Sequence, residues 1–365
     1  MQIPFIDLKS QYNLYKKEIK KEIDDVLEST QFIMGKKVTT LEEDLANYVN
    51  SPHAITCSSG TDALLLALLA LDVKAGDEII TTPFTFIATA EVIALLRAKP
   101  VFVDIDEESF NIDARQIENT ISPKTKAIMP VSLYGQCSNM DAINAIAKKH
   151  NISVIEDGAQ SFGAEYKNKK SCSLSTIGCT SFFPSKPLGC YGDGGALFCE
   201  DEKLNAKIRM LLNHGQDKRY QHDIIGINGR LDAIQAAVLK VKLKHFDSEV
   251  KKRQEIGQRY NHLLENLVQT PQTSPQNTHV YAQYTIRIKN RKTFAKSLNE
   301  KGIPTAVHYP IPLHLQKAFE YLGYKEGDFP ISERVSKEVL SLPMSPFLSL
   351  DQQDLVVNAI KKALS

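Results

Sequence analysis

Lys186 lies in SFFPSKPLGCYGDGG, residues 181–195, between Pro184 and Pro187, with Phe182 and Phe183 before it and a glycine-rich turn after it. Burial among such neighbours disfavours the ammonium form and lowers the lysine pKa. A neutral lysine amine is a nucleophile and a base, and a Schiff base with an aldehyde cofactor is the use that fits best. Pyridoxal phosphate in that role needs three further parts: an acid at the pyridine nitrogen, an anion cradle and a ring-stacking group. VIEDGAQSFGA offers the acid, because Asp157 ends an apolar run where a carboxylate can hold the ring nitrogen protonated. Gln160, three residues on, could reach the ring oxygen. In CSSGTDALLLALLA, Gly60 and Thr61 stand where a strand turns into a helix, and their amides form an anion site at the helix N-terminus. Ser181 adds a hydroxyl close to Lys186. TPFTFIATA supplies Phe84 and Phe86 for stacking, either of which could equally be core. Strand-to-helix glycine turns and strand-end carboxylates are common, so the combination counts for more than any member.

These residues need elements to bring them together. From about residue 50, short β-branched runs alternate with amphipathic stretches. HAITCSS, DEIITT, KPVFVDID, KAIMPVSLYG and ISVIEDGAQ read as strands. TDALLLALLALDV, TFIATAEVIALLRA, NIDARQIENTI and NMDAINAIAKKH read as the helices between them. That alternation predicts an α/β fold with a mainly parallel sheet, whose ligands sit beyond the carboxyl ends of the strands. STIGCTSFF and GALFCE are strands with only the glycine-rich segment between them. DEKLNAKIRMLLNHG predicts a helix closed by Gly215 at C′. One long helical pattern over 230–267 bridges a large domain, 1–245 with its N-terminal segment, and a small α+β domain, 246–365. In the small domain VYAQYTIRI and TAVHY read as strands, NRKTFAKSLNEKG as a helix, and the remainder as two helices. Ser349 and Gln352 form a capping box for the last one.

Composition narrows the partners. The 365 residues carry 44 basic and 43 acidic side chains, a formal net charge of +1, so no basic field recruits nucleic acid or an anionic membrane. The hydrophobic fraction is 42% and the charged fraction 24%, ordinary for a soluble globular chain. The six cysteines show no C-x-x-C pair and no zinc-ribbon spacing, so no metal site is expected and the thiols read as reduced. The first residues, MQIPFIDLKSQYNLYKK, have no apolar core of a secretory signal. ALLLALLAL is far short of the ~20 residues that span a bilayer, so the expectation is a cytoplasmic protein.

SSGTDAL, TPFTFIATAE, PVSLYGQC, IEDGAQSFGA, SFFPSKPLGCYGDGG, HGQDKRY, GINGRLDAIQAA and HYPIP occur in the order seen in DegT-type, pyridoxal-phosphate-dependent nucleotide-sugar aminotransferases. The chain resembles that family over nearly its whole length. The resemblance implies the aminotransferase fold type I, with a seven-stranded type of sheet in the large domain and a small α+β C-terminal domain. It implies a cofactor Schiff base at Lys186, Asp157 on the pyridine nitrogen, Gln160 on the ring and Phe86, rather than Phe84, stacked on it. Gly60, Thr61 and Ser181 match phosphate-binding positions. Asn228 matches a residue that reaches the phosphate from a partner subunit, which implies a homodimer with shared active sites. Arg230, His308 and Tyr309 match substrate-side positions, and Phe32 stands near the nucleotide sugar. Family members with histidine at the lysine position carry out dehydrations, and this chain keeps Lys186.

The expected partners are L-glutamate and 2-oxoglutarate with a UDP-linked keto-sugar, in cell-surface polysaccharide or lipopolysaccharide synthesis. The favoured sugar is UDP-2-acetamido-2-deoxy-3-oxo-glucuronate; UDP-3-keto-N-acetylglucosamine and a dTDP-3-keto-6-deoxyhexose are the alternatives. A nicotinamide dehydrogenase is disfavoured, because GDGG precedes a strand instead of opening a helix. A non-catalytic regulatory protein on the same fold is the remaining rival.

Overall fold

The computed structural model describes residues 3–364. Helices α1 (Leu8–Ser29) and α2 (Lys36–Val49) precede strand β1 (His53–Cys57). Alternation then runs through α3 (Gly60–Ala70), β2 (Glu78–Thr81), α4 (Ala88–Leu95), β3 (Lys99–Phe102), β4 (Thr125–Ile128), α5 (Met140–His150) and β5 (Ser153–Asp157). β6 (Ile177–Ser181) and β7 (Gly195–Cys199) follow, then α6 (Glu202–Leu211) and the long α7 (Ala233–Leu264). The last part holds β8 (Tyr284–Arg287), α8 (Arg291–Glu300), α9 (Pro330–Glu338), β9 (Val339–Leu342) and α10 (Leu350–Leu364).

The seven strands β1 to β7 form one sheet in the order β1-β7-β6-β5-β4-β2-β3. Only β7 runs antiparallel to its neighbours, β1 and β6. The other pairings are parallel. Strands covered on both faces read as continuous apolar runs, and β7 accordingly buries all five residues of GALFC. α3 is apolar almost all round because it packs against the sheet, α4 and α6. Leu41, Phe162, Phe198 and Phe246 fill one side of the sheet, and Leu64, Leu68, Ile93 and Ile208 fill the other. A third cluster, with Tyr260, Tyr284, Phe294 and Leu342, lies where β8 pairs with β9. α7 supplies Phe246 to the first cluster and Tyr260 to the third.

Four local expectations change. α6 ends at Leu211, four residues before Gly215. Gly215 instead sits in a turn at φ +71°, where a Cβ would lie 1.7 Å from the Ile224 carbonyl oxygen. NIDARQIENTI forms only one α-helical turn, Ala114–Ile117, with a 3-10 turn after it. TAVHY is no strand: Ala306 alone bridges to Ser341, since Pro304, Pro310 and Pro312 lack the ladder donors. β9 lies within the stretch read as helices, and α9 runs into it without an intervening turn. The capping box holds: Gln352 N–H donates to Ser349 Oγ at 3.2 Å, and Ser349 N–H to Gln352 Oε1 at 2.9 Å.

Candidate active site

The carboxyl ends of β1, β2, β5 and β6 open onto one cavity of about 460 Å³. Gly60 and Thr61 reach it from the first turn of α3, and Phe86 from the loop after β2. Asp157 and Gln160 enter from the end of β5, and Ser181 and Lys186 from the end of β6 and the loop beyond it. His308 and Tyr309 close the far side. Nine residues singled out in the sequence therefore line one space.

Topology explains the convergence. Asp157 pairs in parallel register with Cys179, so β5 and β6 deliver Asp157 and Ser181 side by side. Gly60 approaches Ser181 so closely that a Cβ there would fall 2.6 Å from the serine Cβ. Any larger residue would push α3 off the strand end. The first-turn amides of Gly60 and Thr61 have no acceptor inside the helix and remain available to an anion. Ser59 caps that turn by accepting the Asp62 N–H at 3.0 Å.

Lys186 is half-buried, and desolvation pushes its pKa down, against the pull of the Asp157 charge. Asp157 is 5% exposed, and burial pushes its pKa up. Three groups oppose that rise: the Thr89 hydroxyl donating to Oδ2 at 2.9 Å, the Ala159 N–H donating to Oδ1 at 3.2 Å, and the Lys186 cation. Glu156, on the opposite face of the strand, is held by Ser171 and the Cys172 N–H, and burial pushes it up to about 7. The two acids of VIED are thus a structural carboxyl and a cavity carboxylate.

On the far wall, Gln160 accepts the Tyr134 N–H at 2.8 Å and donates to the Tyr309 hydroxyl at 3.1 Å. Its amide is therefore fixed by the protein, with one N–H left over. Burial, and then the Lys186 charge, push His308 down to about 4, so its ring is neutral at physiological pH. Its Nδ1 meets Ser341 Oγ at 2.9 Å. Phe86 is 53% exposed with its ring 6.0 Å from that of Tyr309, whereas Phe84 is wholly buried beside Phe110 and Tyr134.

Phe32, Asn228 and Arg230 do not line this cavity. Phe32 is exposed, and its carbonyl accepts the N–H of Ala233 at the start of α7. Asn228 is exposed and bridges to Asn213. Arg230 Nη1 donates to Asn213 Oδ1 at 3.0 Å, and its buried Nε has no partner among the described residues. It pairs with no acid of α7 among them.

Thr85, Thr89, Asp193 and Gln283 line the cavity without having been picked from the sequence. A signal existed for the threonines: they stand four apart at the entry to a helix, and their hydroxyls lie 3.1 Å apart. The six cysteines are all buried and unpaired. Among the described residues no helix is long and apolar enough to cross a membrane, and no cluster of side chains suits a metal ion.

The chain is 50% identical to the UDP-2-acetamido-2-deoxy-3-oxo-D-glucuronate aminotransferase of Pseudomonas aeruginosa, over 98% of this chain and 99% of that protein. It is 49% identical to a protein of Geobacillus stearothermophilus named as a pleiotropic regulatory protein, over 99% and 98% of the two chains. The crystal structure of DesV from S. venezuelae in complex with a ketimine intermediate superposes with a TM-score of 0.97 at 37% identity, covering 99% of this chain and 98% of that one. The profile of the DegT/DnrJ/EryC1/StrS aminotransferase family matches residues 13–361, and the chain belongs to that family.

Proposed function

We propose that this chain is a pyridoxal-phosphate-dependent transaminase that moves the amino group of L-glutamate to the 3-keto carbon of UDP-2-acetamido-2-deoxy-3-oxo-glucuronate, a step toward a cell-surface polysaccharide. The observation that carries the reading is a single cavity holding a lysine amine of lowered pKa, a buried carboxylate and a half-exposed phenyl ring. That set fits the cofactor. Lys186 would hold its aldehyde carbon, Asp157 its ring nitrogen, Phe86 its ring face, and Gly60, Thr61 and Ser181 its phosphate. Pyridoxal phosphate bound there supplies an electrophilic carbon and an electron sink.

The chain's own residues do the rest. The neutral amine of Lys186, once freed, takes the α-proton of the amino donor and later returns a proton at the acceptor carbon. As a carboxylate at the ring nitrogen, Asp157 would hold a proton there. Neutral His308 and the Tyr309 hydroxyl face the reacting groups without adding charge. The keto acid of the donor would leave the cavity before the keto-sugar enters it, while the enzyme retains the amino group, so the kinetics would be ping-pong.

Asn228 and Arg230 would serve the cavity of a second copy in a homodimer, with Phe32 near the nucleotide. The free donor capacity of Arg230 supports a uronate, whose carboxylate it can hold bidentately. Without that carboxylate a buried arginine donor goes unpaired, which penalises the neutral sugar by about 1–3 kcal/mol, roughly ten- to a hundredfold. Comparing kcat/KM for the uronate and for UDP-3-keto-N-acetylglucosamine tests this. Equal or better use of the neutral sugar defeats the uronate reading and leaves transamination intact. The relative named as a regulator favours a second reading, a non-catalytic protein of the same fold. Lys186 and Asp157 in one cavity weigh against it, and a purified protein that takes up no coloured cofactor would establish it.

A further inference from the structure

The loop carrying Lys186 closes on itself. Phe182 N–H donates to the Gly194 carbonyl at 2.7 Å, Cys190 N–H to Phe182 at 2.8 Å, and Lys186 N–H to Phe183 at 2.8 Å. These bonds shape the loop without tying it to the elements outside. Two side chains of α7 provide ties. Gln235 Oε1 accepts the Tyr191 N–H at 2.8 Å. Two helical turns further along, Lys242 Nζ donates to the Gly189 carbonyl at 2.6 Å and stands 4.4 Å from the centroid of the Tyr191 ring.

Lys242 is 2% exposed, and taking an ammonium out of water is costly unless specific bonds offset it. A leucine or methionine would fill the same space without that cost, but neither can satisfy a buried carbonyl. Glu249, another seven residues along α7, accepts two bonds from Gln11 of α1, at 3.1 and 2.8 Å. Gln235, Lys242 and Glu249 thus repeat every seven residues, which puts them close to one face of the helix. That polar stripe links α1, α7 and the loop, and nothing in the chemistry above uses it.

We propose that Lys242, assisted by Gln235, is a positioning residue that pins the loop at Gly189 and so sets where the Lys186 amine enters the cavity. The inference rests on the reading of Lys186 as the cofactor lysine. The charge that acts on Lys242 is that of Glu249; the Cys190 thiol beside it is neutral, pushed up by burial. The charge that acts on Lys186 is that of Asp157, with His308 coupled to it. A change in Lys186 on substituting Lys242 therefore reports position and enclosure, not direct repulsion.

Lys242→Met keeps the apolar stem and removes the donor. In protein stripped of cofactor, Lys186 is labelled with trinitrobenzenesulfonate across a pH series, and its peptide is quantified. A loosened loop lets water reach the amine, so the midpoint pH of labelling should move upward. In the reconstituted enzyme kcat should fall about tenfold, the scale of one buried hydrogen bond to a charged group, with KM little changed. Lys242→Arg, which retains a donor, should recover part of both effects. An unchanged midpoint and kcat in folded Lys242→Met overturn the proposal, even if its melting temperature drops. If Lys242→Met does not fold, Gln235→Met removes the half-buried tie at Tyr191 and decides on the same two measurements. If borohydride fixes pyridoxal phosphate to a lysine other than Lys186, the underlying reading fails and takes this one with it.

Discussion

Thr89→Val is the sharpest test of the role proposed for the Asp157 carboxylate. Valine matches the shape of threonine but replaces the hydroxyl that donates to Asp157 Oδ2 at 2.9 Å with a methyl group. Thr89 is 1% exposed, so no bulk water replaces the lost donor. Burial already pushes the Asp157 pKa up, and the Thr89 hydroxyl is the first of the groups that hold it down. A hydrogen bond to a charged group is worth about 1.5–3 kcal/mol, and the weaker Ala159 N–H at 3.2 Å stays in place. If Asp157 holds the ring nitrogen of pyridoxal phosphate, as proposed, less of the carboxylate form means weaker retention of the proton there. The glutamate half-reaction, followed by cofactor absorbance in single turnover, should slow roughly ten- to a hundredfold. Thr89→Ser restores the hydroxyl and should return the rate to within a few-fold. Thr85→Val, which removes only the neighbour 3.1 Å from Thr89, should have a smaller effect. A Thr89→Val enzyme with a half-reaction rate within about twofold of the parent would refute the coupling.

Three further outcomes are expected. Asp157→Asn keeps the shape without the charge and should lower turnover by about 10²–10³, so near-normal turnover would remove its electronic role. Inactive Lys186→Ala and Asn228→Ala chains, mixed and reassembled, should regain part of the activity through hybrid dimers; no recovery despite proven subunit exchange counts against a shared site. His279 accepts the Tyr281 N–H on Nδ1 at 2.9 Å, and burial pushes its pKa down to about 3. Its folded pKa lies below the unfolded ~6.5, so the unfolded chain binds more protons and stability is lost as pH falls from 6.5 toward 3. That loss reaches roughly 3 kcal/mol by pH 4.5. His279→Asn should flatten the melting temperature against pH over that range, and an unchanged slope would reject the assignment.

What the sequence revealed was local or ordered along the chain. β5 and β6 each run from apolar residues into a polar one at the carboxyl end, so Asp157 and Ser181 could be named from their own segments. Phe86 was separable from Phe84 only by resemblance, because two phenylalanines two apart in an irregular loop carry no periodic signal. In the structure their environments differ completely, one in the cavity and one wholly buried. TAVHY failed as a strand for a nonlocal reason: it has the right composition, but the prolines around it leave one bridge to Ser341. β9 was hidden because its four residues continue an amphipathic helix with no turn between them, and only pairing with β8 makes them a strand.

Among the residues that escaped notice, Thr89, Gln235 and Lys242 are each bonded to another residue of the cavity or its loop: Asp157, Tyr191 and Gly189. Their side chains have no unusual neighbours in sequence; Lys242 stands in KVKLKHF, where three lysines alternate with apolar residues and look alike. Helical geometry separates them. Lys242 is buried against Gly189, while Lys240 meets Thr40 and Lys244 lies toward the surface. Burial then changes what the same side chain can do, pulling Lys242 down to about 8 while no comparable enclosure surrounds its neighbours. Lys186 was legible because prolines and aromatics beside it in the chain announced its burial. For Lys242 the groups it meets, Gly189 and Tyr191, lie in a loop distant in sequence, so its burial leaves no mark on the residues next to it.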